Sequence, residues 1–207
     1  MALALTERQK RDHTRDLVKK NGDLLQHASL SLRGDRQIVM GAIKQYGYAL
    51  KYATPALQGN REIVMEAVMQ TQGADWRNPL CISPLEYASF ELKGDRDIVM
   101  RAVQQNGRAL KLASADLRSD RSIVMAAVKQ NGRALEYAAN ELKSDRGIVI
   151  EATKSSGYAL QYATPELRSD PEIGLIRRSD RVRAAAAQPL SPAKEEQHAT
   201  TKNFSVN

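Results

Sequence analysis

Cysteine is nearly absent from this chain: Cys81 is the only one in 207 residues, so neither an intrachain disulfide nor a thiolate metal cluster can form. Histidine is almost as scarce. His13, His27 and His198 include no i, i+4 pair from which a metal-binding helix could be built, and no metal or cofactor is expected. Large apolar aromatics are few, with only two Phe and one Trp beside seven Tyr, and the apolar mass of Ala, Leu, Ile, Val and Met suits thin, closely packed helices. No apolar run approaches the roughly 18 residues of a membrane span. The start, MALALTERQKRDHTRD, has too short an apolar stretch for a secretory signal, and Glu7, Asp12 and Asp16 fit an organelle presequence poorly. These absences predict a soluble, intracellular protein, cytoplasmic by preference, with an organelle stroma or matrix left open.

Catalytic patterns are missing as well. The Gly-Tyr-Ala-Leu turns lack the G-x-x-x-x-G-K-[ST] spacing of a phosphate cradle, and no Ser or Cys nucleophile has a legible base. The chain therefore reads as a non-enzyme with no catalytic residues. Its net charge of +7 permits an acidic partner, nucleic acid included, without requiring one.

What the chain has is repetition. The phrase DRQIVMGAIKQYGYALKYATPALQG, Asp35 to Gly59, returns with small edits as far as Ser169, and its first residue recurs as Asp35, Asn60, Asp95, Asp120, Asp145 and Asp170. The step is 25 residues four times and 35 once. Such a period predicts an all-α solenoid, because a unit this short cannot bury its apolar face alone and must stack on its neighbours.

Within a unit, Asp35 is a good N-cap. Ile38, Val39, Ala42 and Ile43 then follow at helical spacing with Met40 alongside. Gly47 is expected to stop that helix by taking the left-handed conformation. Ala49, Leu50, Tyr52 and Ala53 give a second, shorter helix, and Thr54-Pro55 starts a final turn that brings Leu57 into the core.

Four segments result. Residues 1–34 are an N-terminal segment and a degenerate capping repeat, in which Gly22, Leu25, Ala28 and Leu32 keep the pattern while His13, Thr14 and Arg15 replace the Ile38, Val39 and Met40 set. Residues 35–169 are five full helical repeats, the second carrying ten extra residues near 71–84 that include Trp76, Arg77, Leu80 and Cys81. Such an insertion is either part of a binding face or a tolerated surface insertion whose Trp folds back on the array, and the sequence favours neither. Residues 170–178 are a C-terminal capping helix, and 179–207 a basic, low-complexity tail that composition predicts to be disordered when alone. Arg177 and Arg178 of the capping helix and Arg181, Arg183 and Phe204 of the tail are candidate partner contacts.

The unit written out, D-R-x-I-V-M-x-A-V-x-Q-N-G-x-A-L-x-Y-A-x-x-E-L-x-S, resembles a short helical repeat catalogued as a domain of unknown function and found in several copies in proteins of protists, algae and some bacteria. Asp120 to Ser144 matches at nearly every position, and the resemblance runs from about Lys10 to Ile176. It implies a helical array with no established activity. Asn60 at a unit start, the inserted second unit and Leu112 in place of Tyr depart from the pattern without breaking it.

Stacking turns each repeat position into a column. Arg36, Arg61, Arg96, Arg121 and Arg146 stand beside the capping residue, where an Arg opposes the helix dipole. Glu91, Asp116 and Glu141, five residues before Arg96, Arg121 and Arg146, are the expected partners in a salt-bridge ladder, with anion binding by the column as the alternative. Arg33, Lys93, Arg118, Lys143 and Arg168 form a second basic column. Tyr52, Tyr87, Tyr137 and Tyr162 could in principle stack bases, but Leu112 interrupts them, and packing at the core edge is the better reading. The turn column Tyr46, Asn106, Asn131 and Ser156, with Tyr48, Arg108, Arg133 and Tyr158 two residues on, varies most. That variation describes either a face meeting different surfaces or, slightly better, unconstrained solvent positions, and Arg108, Arg133 and Tyr158 are candidate contacts. The leading expectation is a non-catalytic scaffold or accessory subunit that binds protein partners in a larger complex. RNA or other nucleic-acid binding through the basic columns and Arg-rich tail is the alternative, and a membrane-surface adaptor has only net charge behind it.

Overall fold

A computed structural model describes residues 6–70 and 83–176. Each unit opens on its capping residue. The side chains of Asp35, Asp95, Asp120 and Asp145 accept hydrogen bonds from the main-chain N–H of Ile38, Ile98, Ile123 and Ile148 at 3.0 to 3.3 Å, and Asn60 does the same for Ile63 at 3.2 Å. With the first turn satisfied in this way, long helices run over Arg36–Gln45, Arg61–Met69, Arg96–Gln105, Arg121–Gln130 and Arg146–Ser155. One stripe of each is buried. In the fourth unit Ile123, Val124, Ala127 and Val128 are fully buried.

The chain then turns into a 3₁₀ helix, Gly47–Tyr52, Gly107–Leu112, Gly132–Tyr137 or Gly157–Tyr162, with Pro84–Tyr87 in the second unit. A four-residue helix, such as Ala115–Arg118 or Asn140–Lys143, closes the unit. Long helices pack on long helices and 3₁₀ helices on 3₁₀ helices in chain order. The array is therefore an α-solenoid in which the Ile and Val of one layer meet a row of leucines from the other: Leu25, Leu50, Leu85, Leu110, Leu135 and Leu160.

A backbone ladder ties the closing segments together. Thr54, Ser89, Ser114, Ala139 and Thr164 donate their N–H to the carbonyls of Arg33, Gln58, Lys93, Arg118 and Lys143 in the preceding unit, at 2.9 to 3.2 Å. Groups that would otherwise be left without partners at the helix start are used to join units.

The glycine at the head of four of the 3₁₀ helices, Gly22, Gly47, Gly107 and Gly132, has a different cause from the one expected. The long helix ends on extended residues such as Tyr46, with φ −152°, and Gly47 does not enter the left-handed region. A Cβ on Gly22, Gly47, Gly107 or Gly132 would instead be driven into the carbonyl oxygen of Ala42, Ala67, Ala127 or Ala152 in the next unit. Glycine is required by how closely the neighbouring backbone approaches.

At the N-terminal end the helix Glu7–Lys20 is started by a capping box between Thr6 and Gln9. Among its described side chains it buries only Val18, and it packs on the first long helix with its outer side mostly polar. At the other end residues 171–176 are helical; Asp170 caps Glu172 and Ile173, and Ile173 is buried. Tyr52, Tyr87, Tyr137 and Tyr162 are half-buried against the core edge together with Leu112, which explains why Leu serves in that column. No helix among the described residues is long and apolar enough to cross a membrane.

Candidate interaction surface

The arginine ladder is present, but its acids are not the expected ones. Arg11, Arg61, Arg96, Arg121 and Arg146 pair with the capping Asp35, Asp95, Asp120, Asp145 and Asp170 of the following unit, at 2.7 to 3.3 Å. Where the cap is Asn60, Arg36 turns to Glu62 instead, and Arg61 and Arg146 gain second partners in Asp97 and Glu172. Units stacked in register set each guanidinium level with the next N-cap. Glu91, Asp116 and Glu141 sit on the closing segments and take no part. Glu91 is held below the ordinary carboxylate range by its own backbone N–H and then by the Ser89 hydroxyl. Arg11 was legible as a member of this column, since it lies one period before Arg36.

These contacts set an acid response. Asp145 is held below the ordinary range first by the Arg121 side chain and then by the Ile148 N–H. For Asp120 the main cause is the Ser122 hydroxyl. Burial opposes the shift at Asp95 and is outweighed by Arg61 and the Ile98 N–H. Depressed folded-state values mean that the unfolded chain binds more protons near pH 4. The stability is therefore complete above the ordinary Asp value of about 3.9 and is lost as pH falls through that value toward the lower folded ones. Thermal melts should be flat from pH 7 to about 4.5 and fall below it. Melting temperatures that rise in acid would contradict this account.

Of the candidate contact residues, Arg108, Arg133 and Tyr158 are the second residues of three consecutive 3₁₀ helices, and all three are exposed. Arg133 lies over the Tyr158 ring, 5.2 Å from its centroid, while Tyr158 is 62% exposed. The turn column is not unconstrained. Asn106 and Asn131 accept hydrogen bonds from the N–H of Arg108 and Arg133 at 3.1 and 3.0 Å, which fixes where those arginines leave the backbone. Trp76, Arg77, Leu80 and Cys81 of the insertion, and Arg177, Arg178, Arg181, Arg183 and Phe204 near the C-terminus, lie outside the described residues.

Sequence reasoning missed a pair of exposed apolar side chains. Leu30 and Phe90, 73% and 79% exposed, occupy the same repeat position on the closing segments, and aligning the units column by column would have shown Leu30, Pro55, Phe90 and Ala115 in a row.

The second basic column behaves differently from the first. Arg33 donates from Nε to the Tyr52 carbonyl. Lys93, Arg118 and Lys143 form no ion pair among the described residues, and a cleft of about 370 Å³ opens beside Arg118 and Lys143 between the third and fourth units. No group of three or more His, Cys, Asp or Glu among the described residues is arranged to hold a metal.

No curated protein and no solved structure is significantly similar to the chain. A model of a domain of unknown function, DUF4116, matches residues 15–58, 60–118 and 120–168. Each match spans a pair of stacked units, with breaks at Gly59 and Ser119, the last residues of the first and third full units. With these three tandem copies over well more than half of its length, the chain belongs to the family built from the domain of unknown function DUF4116.

Proposed function

We propose that this array is a non-catalytic scaffold or accessory subunit that holds a protein partner on its 3₁₀ layer. The observation that carries the reading is the exposed Arg133–Tyr158 stack with Arg108 one unit away. Arg and Tyr are the residue types that dominate binding energy at protein interfaces. Here the two arginines stand on backbone fixed by the Asn106 and Asn131 caps, so little of their backbone freedom is lost on binding. The insertion that carries Trp76 and the basic C-terminal segment are the further contacts of this reading, and an intracellular, preferentially cytoplasmic setting goes with it.

Nucleic-acid binding is the second reading. The first basic column is already neutralised across unit boundaries. The second runs two residues from the acidic column Glu91, Asp116, Glu141 and Glu166, so a phosphate chain laid along it meets alternating signs. Both facts favour the protein partner.

The test is affinity capture from source cells with the wild-type chain and with an Arg133→Ala, Tyr158→Ala double variant of equal melting temperature. The expected result is a stoichiometric protein partner, resistant to nuclease, whose recovery drops by at least about tenfold in the variant. Capture that is insensitive to the variant and abolished by nuclease would assign the surface to nucleic acid. A turnover activity lost on a point change without unfolding would replace the scaffold reading altogether.

A further inference from the structure

Arg118 ends the closing helix of the third unit. It is half-buried, and its Nε is shut off from solvent without a hydrogen-bond partner. Such a donor is costly when left unmet, and more so when the group is charged. The same position shows an internal solution at the first junction, where Arg33 donates to the Tyr52 carbonyl. Arg118 makes no such bond to Tyr137, one unit on from it.

The cleft beside it is lined by Ala115, Arg118, Glu136, Tyr137, Asn140 and Lys143, among others. Arg118 and Lys143 bring two cations to one concavity, and among the described residues neither lies within ion-pair distance of a carboxylate. Glu136, the one acid on the lining, interacts with Tyr162 of the fifth unit. Burial, and then the Glu136 charge and hydrogen bond, hold that tyrosine above its usual range.

We infer that this cleft is a carboxylate-binding site, which takes an acidic side chain of a polypeptide partner between Arg118 and Lys143. The inference deepens the scaffold reading and rests on it. Because Arg118 Nε is closed to solvent, the two terminal guanidinium nitrogens take the carboxylate in two parallel hydrogen bonds, and Asn140 adds an amide at the wall. Asp116 and Glu141 stand exposed two residues before each cation. A single negative group that enters the cleft meets the cations, while a run of phosphates passing over it also meets these two carboxylates.

The test uses the full chain labelled with ¹⁵N-arginine. The Arg118 Nε–H resonance is assigned by its disappearance in Arg118→Lys, which keeps the charge. Hexaglutamate is titrated in, and in parallel a single-stranded oligothymidylate of equal net charge. Hexaglutamate should move the Arg118 signal to saturation, and Arg118→Gln should weaken its binding by at least about tenfold. Arg36→Gln, in the ladder, should change it by less than about twofold. The inference is overturned if hexaglutamate fails to bind, if it binds without moving the Arg118 resonance, or if the oligothymidylate moves that resonance at lower concentration. In any of those cases the scaffold reading survives wherever partner capture still depends on Arg133 and Tyr158. If that dependence is lost while the Arg118 response stands, the failure belongs to the scaffold reading.

Discussion

Gly132→Ala is expected to destabilise the array by about 3 kcal/mol, although it adds one methyl group. The new Cβ would be forced into the Ala152 carbonyl oxygen and would lie 2.9 Å from the Ser156 nitrogen. Both are main-chain atoms of the next unit and cannot rotate aside as a side-chain tip can. The fourth and fifth units would have to move apart, straining the bond from the Gly132 N–H to Ser155 Oγ, now 2.9 Å. Overpacking in well-packed cores typically costs about 1–3 kcal/mol, and a backbone obstacle belongs at the upper end. Urea melts provide the measurement, with Gly41→Ala as control. No atom lies within 4 Å of a Cβ at Gly41, and in that mid-helix position alanine should be neutral or stabilising by up to about 1 kcal/mol. Equal stability of Gly132→Ala and wild type would show that the units are not held as closely as the structure has them.

The second large effect is expected at Leu135→Ala. This side chain is fully buried between its own long helix and the units on either side, so its loss removes transfer energy and leaves a cavity, together about 2–5 kcal/mol. Position along the stack decides what unfolds. In an array coupled mainly through nearest neighbours, Leu135→Ala weakens two junctions in the middle and should lower the stability of the whole chain. Leu25→Ala, also fully buried but in the N-terminal capping unit, should release that unit while the rest stays folded. Amide hydrogen exchange separates the cases. Protection should fall throughout for Leu135→Ala and only before about residue 35 for Leu25→Ala. Uniform loss for both would mean that the array unfolds as one block.

What could be read from the sequence was whatever is decided inside a single unit. Asp at the cap and the Ile, Val, Ala and Val set of the long helix follow from local periodicity, and the structure has them where the spacing puts them. What could not be read was decided between units. Whether Gly47 answers a dihedral or a neighbour's carbonyl depends on a distance that no single unit contains. The partner of Arg96 depends on register: five residues back along the chain lies Glu91, but one unit along the stack lies Asp120, and register makes the second the nearer. The turn asparagines are the exception, because Asn106 and Asn131 accept from the N–H two residues on within their own unit. Arg108, Arg133 and Tyr158 were legible as exposed column members. The stacking of Arg133 on Tyr158 across one period was not, because spacing alone does not say which way the two side chains lean.

Each guanidinium reaches forward into the next unit, to its capping Asp or, for Arg36, to Glu62, so the protein carries its couplings in whole-unit cassettes. Excising Asp120 to Ser144 as one block would set Arg96 against Asp145 and Gly107 against Ala152, the same kinds of pair that each makes now. A gene for such a chain can lengthen or shorten by whole duplications and deletions without stranding a charge, and copy number becomes free to vary where the sequence of any one copy is not.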